Sequence, residues 1–375
     1  MGVNLRHVRI DEFDEFMRLI ERAFGHSRMF FQRVYPHLYR PTEEALSWAY
    51  VIEEDGQLVS HVGLYPIEAV TAGVHLNVGG IGAVSTAPQA RGKGYMSRLL
   101  FHIVDEMRRL GYAASWLGGD RQRYNTFGWE LASPIYELTF SKRSFGWHEV
   151  EPVEIDEVLP DEAMATIRKL STLPACHTIR PHLEHQIHKM GVRIWIAEDG
   201  YAILEERTYR ELSVLELVSA SGNEAGMLRS IMDWCFAERI NWPLSIWDRE
   251  RVGRLMPYSA YWRGGCSGMY RVNDLAALLV SSRPVLESRA AALCNFAVAL
   301  GVREHDRTTV TTVTVEDGEV GVEAGRHTSR YVELPITEAT RFVFGGPPVT
   351  SDAHLPEGLQ ALFPIPCYVL PFDHV

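Results

Sequence analysis

Ile81-Gly82-Ala83-Val84-Ser85-Thr86-Ala87-Pro88-Gln89-Ala90-Arg91-Gly92-Lys93-Gly94-Tyr95-Met96 is the stretch from which the rest of the chain can be placed. Ile81 to Thr86 reads as a strand, and Pro88 ends it, because a strand interior disfavours proline. Gln89 to Gly94 is a turn with two glycines and two cations. Beyond it Met96, Leu99, Leu100, Ile103, Val104, Met107 and Leu110 recur at helical spacing, and Gly111 is a C-terminal stop. Strand, glycine turn and amphipathic helix together make an anion site. The first amides of a helix lack internal partners, and its dipole favours negative charge. Glycines let a phosphate approach the backbone, so pyrophosphate is the expected guest, with Arg91 and Lys93 adding charge. The spacing is that of neither the dinucleotide fingerprint nor the P-loop.

Gln89, Gly92 and Gly94 fit the Gln/Arg-x-x-Gly-x-Gly/Ala pattern, and in this strand-to-helix setting the stretch resembles the acetyl-CoA site of the GNAT superfamily of N-acetyltransferases. The resemblance implies that Arg91, Gly92, Lys93, Gly94, Tyr95, Met96 and Ser97 hold the pyrophosphate of acetyl-CoA. It also implies that the backbone of Val84, Ser85 and Thr86 meets the pantetheine between two splayed parallel strands. The third of these is usually Val or Ile, and Thr86 departs from that without affecting a backbone role.

The flanking sequence follows the GNAT order. His7 to Ile10 is a first strand, and Asp11 opens a helix with Phe13, Phe16, Met17, Ile20 and Phe24 on one face. Phe30, Phe31, Tyr35 and Tyr39 either cover the acceptor site, as in GNAT domains, or belong to the core. Asp55-Gly56 and Thr71-Ala72-Gly73 turn three strands against one another. Tyr112 to Leu117 is the second splayed strand. Tyr124-Asn125-Thr126-Phe127-Gly128-Trp129 then resembles the Tyr-x-x-Phe-Gly-aromatic segment of the Eis (enhanced intracellular survival) branch, which includes aminoglycoside-modifying enzymes. In that branch the tyrosine is general acid toward the departing CoA thiolate, a role that falls here on Tyr124. The preceding Gly119-Asp120-Arg121-Gln122 departs from the branch pattern.

Three units are expected: a catalytic GNAT domain over 1–148, a degenerate GNAT-like domain over 149–267, and a sterol-carrier-protein-like α+β domain over 268–375. The fold class is α/β (α+β), with two tandem GNAT-like mixed sheets ahead of the third unit. In the second unit Ser219 to Ala225 stands where the pyrophosphate turn would be, without its glycine spacing or a cation. In the third, Leu275 to Leu279 and Val285 to Leu300 read as helical, and Thr308 to Glu316 with Glu319 to Ala324 flank an Asp317-Gly318 hairpin turn. The end of the chain, Leu362 to Val375, is apolar and proline-stiffened, unlike a frayed tail. The family resemblance implies that the α-carboxylate of Val375 is the general base for the amine, with Asp373 as an alternative.

Composition narrows the partners. The 375 residues carry a formal net charge of −11, which argues against nucleic acid and is compatible with a cationic substrate. No apolar run reaches membrane-spanning length, so no membrane partner is expected. Five scattered cysteines fit reduced thiols in the cytoplasm. His182, His185 and His188 sit three apart in an expected helix, but no carboxylate or cysteine completes a metal set, and a solvated face is the preferred reading. The expected activity is acetyl-CoA-dependent transfer to a primary amine, such as an aminoglycoside or polyamine, without a metal, by a homo-oligomer; the family includes hexamers. The rival readings are a protein or peptide lysine acetyltransferase and a non-catalytic lipid- or CoA-binding protein.

Overall fold

The computed structural model describes residues 2–347 and 354–375. Asp55-Gly56 and Ala72-Gly73 all take positive φ, between +50° and +81°, as the tightest hairpin turns require. They join the strands Ala49–Glu54, Gln57–Thr71 and Val74–Thr86 into an antiparallel meander. The helix Phe13–Phe24 ends at Gly25, whose φ of +73° closes the last turn. It buries Phe16, Met17, Leu19 and Ile20 against the meander.

The chain is a mixed α/β protein with two sheets. Among the described residues thirteen strands form one continuous sheet. It runs from Val3–His7 through the meander to Ala114–Leu117, then Tyr261–Val272, Glu130–Ser141, Arg239–Ser245, Glu211–Ser219, Gly200–Thr208, Val192–Ala197 and Asp156–Val158. Cys176–Ile179 lies off this path on Gln57–Thr71. The strand Tyr261–Val272 fuses the halves, pairing antiparallel with Ala114–Leu117 on one side and Glu130–Ser141 on the other. Its glycines hide it in the sequence, yet Gly268 is required: a Cβ there would stand 2.4 Å from the Trp116 indole nitrogen.

The second sheet has the order Glu319–Ala324, Thr308–Glu316, Phe296–Arg303, Tyr331–Pro335, and its last pair is parallel. The hairpin at Asp317-Gly318 is where the sequence puts it. Val285 to Leu300 is not one helix. The helix Arg283–Ala290 stops, and Phe296–Arg303 is a central strand. The apolar run Phe296 to Leu300 has no polar face to set its period, so helix and strand are not separable from it. One core joins this unit to the underside of the meander: Val74, Leu76 and Val78 share it with Leu278, Val298, Val313, Phe344 and Ile365.

Candidate active site

The site begins where two parallel strands part. Val78 to Ile81 pair with Ala114 to Leu117, and from Gly82 to Thr86 no strand pairs on that side among the described residues. A β-bulge marks the point: His61 faces Ser85 and Gly63 faces Gly82, leaving Ala83 and Val84 opposite one residue. Ala83 takes φ +47° there. His61 holds the bulge, its Nδ1–H donating to the Ala83 carbonyl at 2.9 Å. Burial pushes the His61 pKa down to about 4 against that bond, so the ring is neutral and Nδ1 carries its proton. His61 has no local sequence signal, because its partner is on the neighbouring strand.

Past the bulge, Gly92 and Gly94 take φ +80° and +76°, and Gly94 is the N-cap of the helix Tyr95–Arg109. No side chain caps this helix, so its first amides are open to an anion, and Arg108 and Arg109 complement the dipole at its far end. Leu99, Leu100, Ile103, Val104 and Met107 are buried and anchor it to the sheet, at roughly 1.5–3 kcal/mol for each large side chain. A cavity of about 860 Å³ opens at this turn, lined by Val84, Ser85, Thr86, Arg91, Gly92, Gly94, Tyr95 and Met96. Phe24 and Arg123 also line it, and the sequence gives neither away. An elongated, phosphate-bearing ligand fits this chemistry, with open amides, a cation and an unpaired strand edge in one trough. Gln89 is exposed in the 3₁₀ turn Pro88–Ala90, and Ser97 is half-buried in the first helical turn; neither lines the trough. Lys93 bonds Glu54 at 2.8 Å, as does the Tyr95 hydroxyl at 2.6 Å.

Tyr124 ends a short helix that Asp120 caps by accepting from the Gln122 amide. Its ring is buried and covers Gly119, where a Cβ would stand 2.9 Å away. Burial raises the phenol pKa, partly offset by Arg123, so the hydroxyl keeps its proton at neutral pH. Gly128, at φ +95°, turns the chain back under Arg271, whose Nε donates to the Phe127 carbonyl at 2.9 Å.

The chain's last segment threads between the units. The Cys367 carbonyl accepts from Ser133 at 2.6 Å, and the amides of Tyr368 and Val369 donate to Thr71 Oγ1 and the Tyr270 hydroxyl. Arg180 grips Asp373 with two bonds of 2.7 Å and also meets Glu216, to which Tyr201 donates at 2.7 Å. Gln186 adds a bond of 2.8 Å to Asp373. Burial would raise the Asp373 pKa, but the Arg180 guanidinium outweighs it and holds the carboxyl below its usual range. A carboxylate so paired is a poor base. His374 stacks on Trp116, with ring centres 4.3 Å apart. Val375 then reaches the parting of the strands. A Cβ at Gly82 would stand 3.0 Å from the Val375 carboxyl carbon, and one at Gly80 would stand 2.8 Å from its Cγ2.

A second cavity, of about 270 Å³, is lined by Val375 together with residues of the meander and of the segment Thr178–Gln186. His37 and Leu38 reach it, while Phe31 and Tyr39 of the same aromatic stretch are core. The histidines expected on one helix do not converge: His182 meets Glu44 at 3.0 Å and His188 meets Asp161 at 3.2 Å. At the stretch Ser219 to Ala225 the helix start is closed from within. Asn223 caps the helix Glu224–Trp234, and buried Glu224 in its first turn is held by Arg254.

An open strand edge beside an uncapped helix N-terminus makes the trough a site for an anionic ligand. Residues 4–132 match the acetyltransferase (GNAT) domain family, so the chain carries an N-acetyltransferase domain. The uncharacterized N-acetyltransferase YhbS of Escherichia coli strain K12 is 30% identical over 81 residues, 22% of this chain and 47% of that protein. The chain thus spans about half the length of the curated relatives it matches. Among solved structures, a probable N-acyltransferase of Enterococcus faecalis V583 aligns with a TM-score of 0.71 at 18% identity, over 92% of this chain and 90% of that one. Eis1 from Mycobacterium abscessus aligns at 0.64 and 15% identity, over 96% of both chains. At such identities the likeness is one of fold.

Proposed function

We propose that the chain is an acetyl-CoA-dependent N-acetyltransferase that moves the acetyl group directly to a primary amine. The carrying observation is the approach of Val375 to Gly82, two residues before the open strand edge that lines the trough, with Val375 also lining the cavity beside Thr178–Gln186. In this reading the Tyr95–Arg109 amides and Arg91 bind the pyrophosphate, and the free edge at Val84, Ser85 and Thr86 orients the pantetheine. Gln89, Gly92, Lys93, Gly94, Tyr95, Met96 and Ser97 complete the binding segment, with Lys93 released from Glu54 to reach a phosphate. The Val375 α-carboxylate takes a proton from the ammonium. A backbone amide near Val84 polarises the thioester carbonyl as nitrogen attacks it. The Tyr124 hydroxyl gives its proton to the departing thiolate. Asp373 is set aside as the base, because Arg180 occupies both its oxygens.

The unit boundaries near 148 and 267, the Eis-like tandem arrangement and the sterol-carrier likeness of the third unit belong to the same reading, supported by the alignment along 96% of Eis1. So do a homo-oligomer and a cytoplasmic setting, the latter supported by five free cysteines, one of them exposed. No helix among the described residues is long and apolar enough to cross a membrane.

The test is CoA release across a panel of amines, aminoglycosides and lysine peptides, comparing the chain with one extended past Val375. Turnover on an amine, lost on extension while acetyl-CoA still binds, is the expected result. Turnover indifferent to the extension would remove the carboxylate from the mechanism. Failure to bind acetyl-CoA by calorimetry would overturn the whole reading.

A further inference from the structure

The strand Tyr261–Val272 is paired on both sides only toward its end. Met269 to Val272 lie between Ala114–Leu117 and Glu130–Ser141. From Tyr261 to Ser267 the side away from Glu130–Ser141 meets no strand among the described residues. Such an edge offers unpaired N–H and C=O groups to another strand, and it is ordinarily guarded by lysine, proline or a bulge. This one carries Tyr261 and Trp262, each 52% exposed, and then Arg263, Gly264 and Gly265, all exposed. Trp262 stands edge-on to Tyr136, with ring centres 5.4 Å apart. Arg263, the one charge of the stretch, is bonded to Glu137 at 2.8 Å.

Glycine weakens a strand and marks places where another group comes close. Gly268 fits that description within the chain, beside Trp116. Gly264 and Gly265 do not. A Cβ on Gly264 would meet nothing within 4 Å, and one on Gly265 would make ordinary contact with Ile135 at 3.7 Å. Neither takes a positive φ. Nothing in the chain itself calls for glycine at these two positions, but a second copy does. Two copies related by a two-fold axis normal to the sheet pair antiparallel, with residues of the same face opposite each other. With the axis at Gly264, Arg263 stands opposite Gly265 of the other copy, Trp262 opposite Cys266 and Tyr261 opposite Ser267. Each large side chain then meets a small one. An axis at Arg263 would set two guanidiniums face to face, which is unfavourable. An axis at Trp262 would leave Gly265 and the residues after it unpaired.

We propose that two copies of this chain join through residues 261–267 about a two-fold axis at Gly264, so that one sheet runs through both. The proposal rests on the homo-oligomer put forward above, to which it gives a surface, and not on acetyl transfer. Seven residues a side fall well below the roughly 20–30 of a standard interface, so the expected dimer is reversible and of micromolar strength.

Sedimentation velocity of the full chain from about 1 to 200 µM tests this, with a rise toward the mass of two chains as the expected result. Gly264→Lys, for which the single chain has room, sets like charges at the axis. It should weaken the dimer about tenfold or more with the thermal midpoint unchanged. Gly264→Cys, in a chain whose exposed Cys294 is changed to serine, should give a disulfide-linked dimer under oxidised glutathione, because the axis sets the two thiols across one step of the ladder. Cys294→Ser alone is the control. Loss of the dimer in Gly264→Lys, or its capture by Gly264→Cys, sustains the proposal. An assembly that Gly264→Lys leaves intact and Gly264→Cys does not crosslink would overturn this surface and leave the homo-oligomer standing. Single chains at every concentration would overturn both.

Discussion

Two kinds of side chain govern the site at the scale of single residues, and both are set by burial. Tyr124 is kept protonated by its surroundings, so its proposed part is as a donor, and Tyr124→Phe removes the proton while leaving the ring. The expected result is a fall in kcat of about 100-fold or more, with acetyl-CoA affinity unchanged by calorimetry. An unchanged kcat would assign the thiolate's proton to water. The second kind is the neutral imidazole. Desolvation pushes His37 down to about 3 and His61 and His374 to about 4; the Lys189 charge also lowers His37 and His374, Asp373 opposes it at both, and the Ala83 carbonyl opposes it at His61. All three bind a proton near pH 6.5 once the chain unfolds. Below that pH the unfolded state holds more protons than the folded one, so stability falls as pH drops from about 6.5 toward 4. Each ring contributes a slope of up to about 1.4 kcal/mol per pH unit. Urea midpoints between pH 7.5 and 4.5 measure this, and His61→Gln should flatten the curve. A curve as steep in the variant would show that His61 is charged in the fold.

Elements place these residues, and the element that matters most is the glycine-lined end of the central strand. Gly80 and Gly82 leave room for Val375: a Cβ on Gly82 would stand 3.0 Å from the carboxyl carbon and 3.1 Å from the Tyr65 ring, too close unless a neighbour shifts. Gly82→Val should displace the chain's last residue without touching the helix at Gly94. The expected signature is kcat lower by about 100-fold, the cost of roughly an ångström of misplacement, with acetyl-CoA affinity retained. Gly94→Ala should do the opposite. It loads a left-handed position at a cost of roughly 1–2 kcal/mol and weakens acetyl-CoA about tenfold, with kcat at saturation little changed. The turn at Gln89–Gly94 is legible in the sequence because its chemistry dictates residue types: only glycine takes those φ values cheaply, and only an apolar stripe holds the helix behind it. The hairpins at Asp55-Gly56 and Asp317-Gly318 are legible for the same reason. The bulge at Ala83 is not, since its cause is His61 on another strand. Tyr261–Val272 is not either, because its glycines serve neighbours such as Trp116 and erase the alternation that would announce a strand.

At the scale of the whole molecule, the far half of the sheet holds the chain's end in place. Arg180 comes from the segment after Cys176–Ile179, Glu216 from Glu211–Ser219, and Asp373 from the last 3₁₀ turn. Arg180 and Asp373 are 193 residues apart, and no local pattern marks either, which is why this clamp is not legible in the sequence. Both side chains are nearly inaccessible, at 4% and 5%. A buried pair of this kind adds little over a well-packed apolar replacement, but removing one partner strands the other. Arg180→Met leaves two buried carboxylates facing each other with no cation between them. The expected cost is about 3–5 kcal/mol, read as a lowered denaturant midpoint. The double change Arg180→Met with Asp373→Asn removes one of the stranded charges and should recover part of that stability. It should not recover activity if the clamp's purpose is to position Val375, because the neutral pair no longer fixes the tail's angle. Equal recovery of stability and kcat in the double variant would reduce the clamp to a structural contact. Recovery of stability alone would make the far half of the molecule a working part of the site.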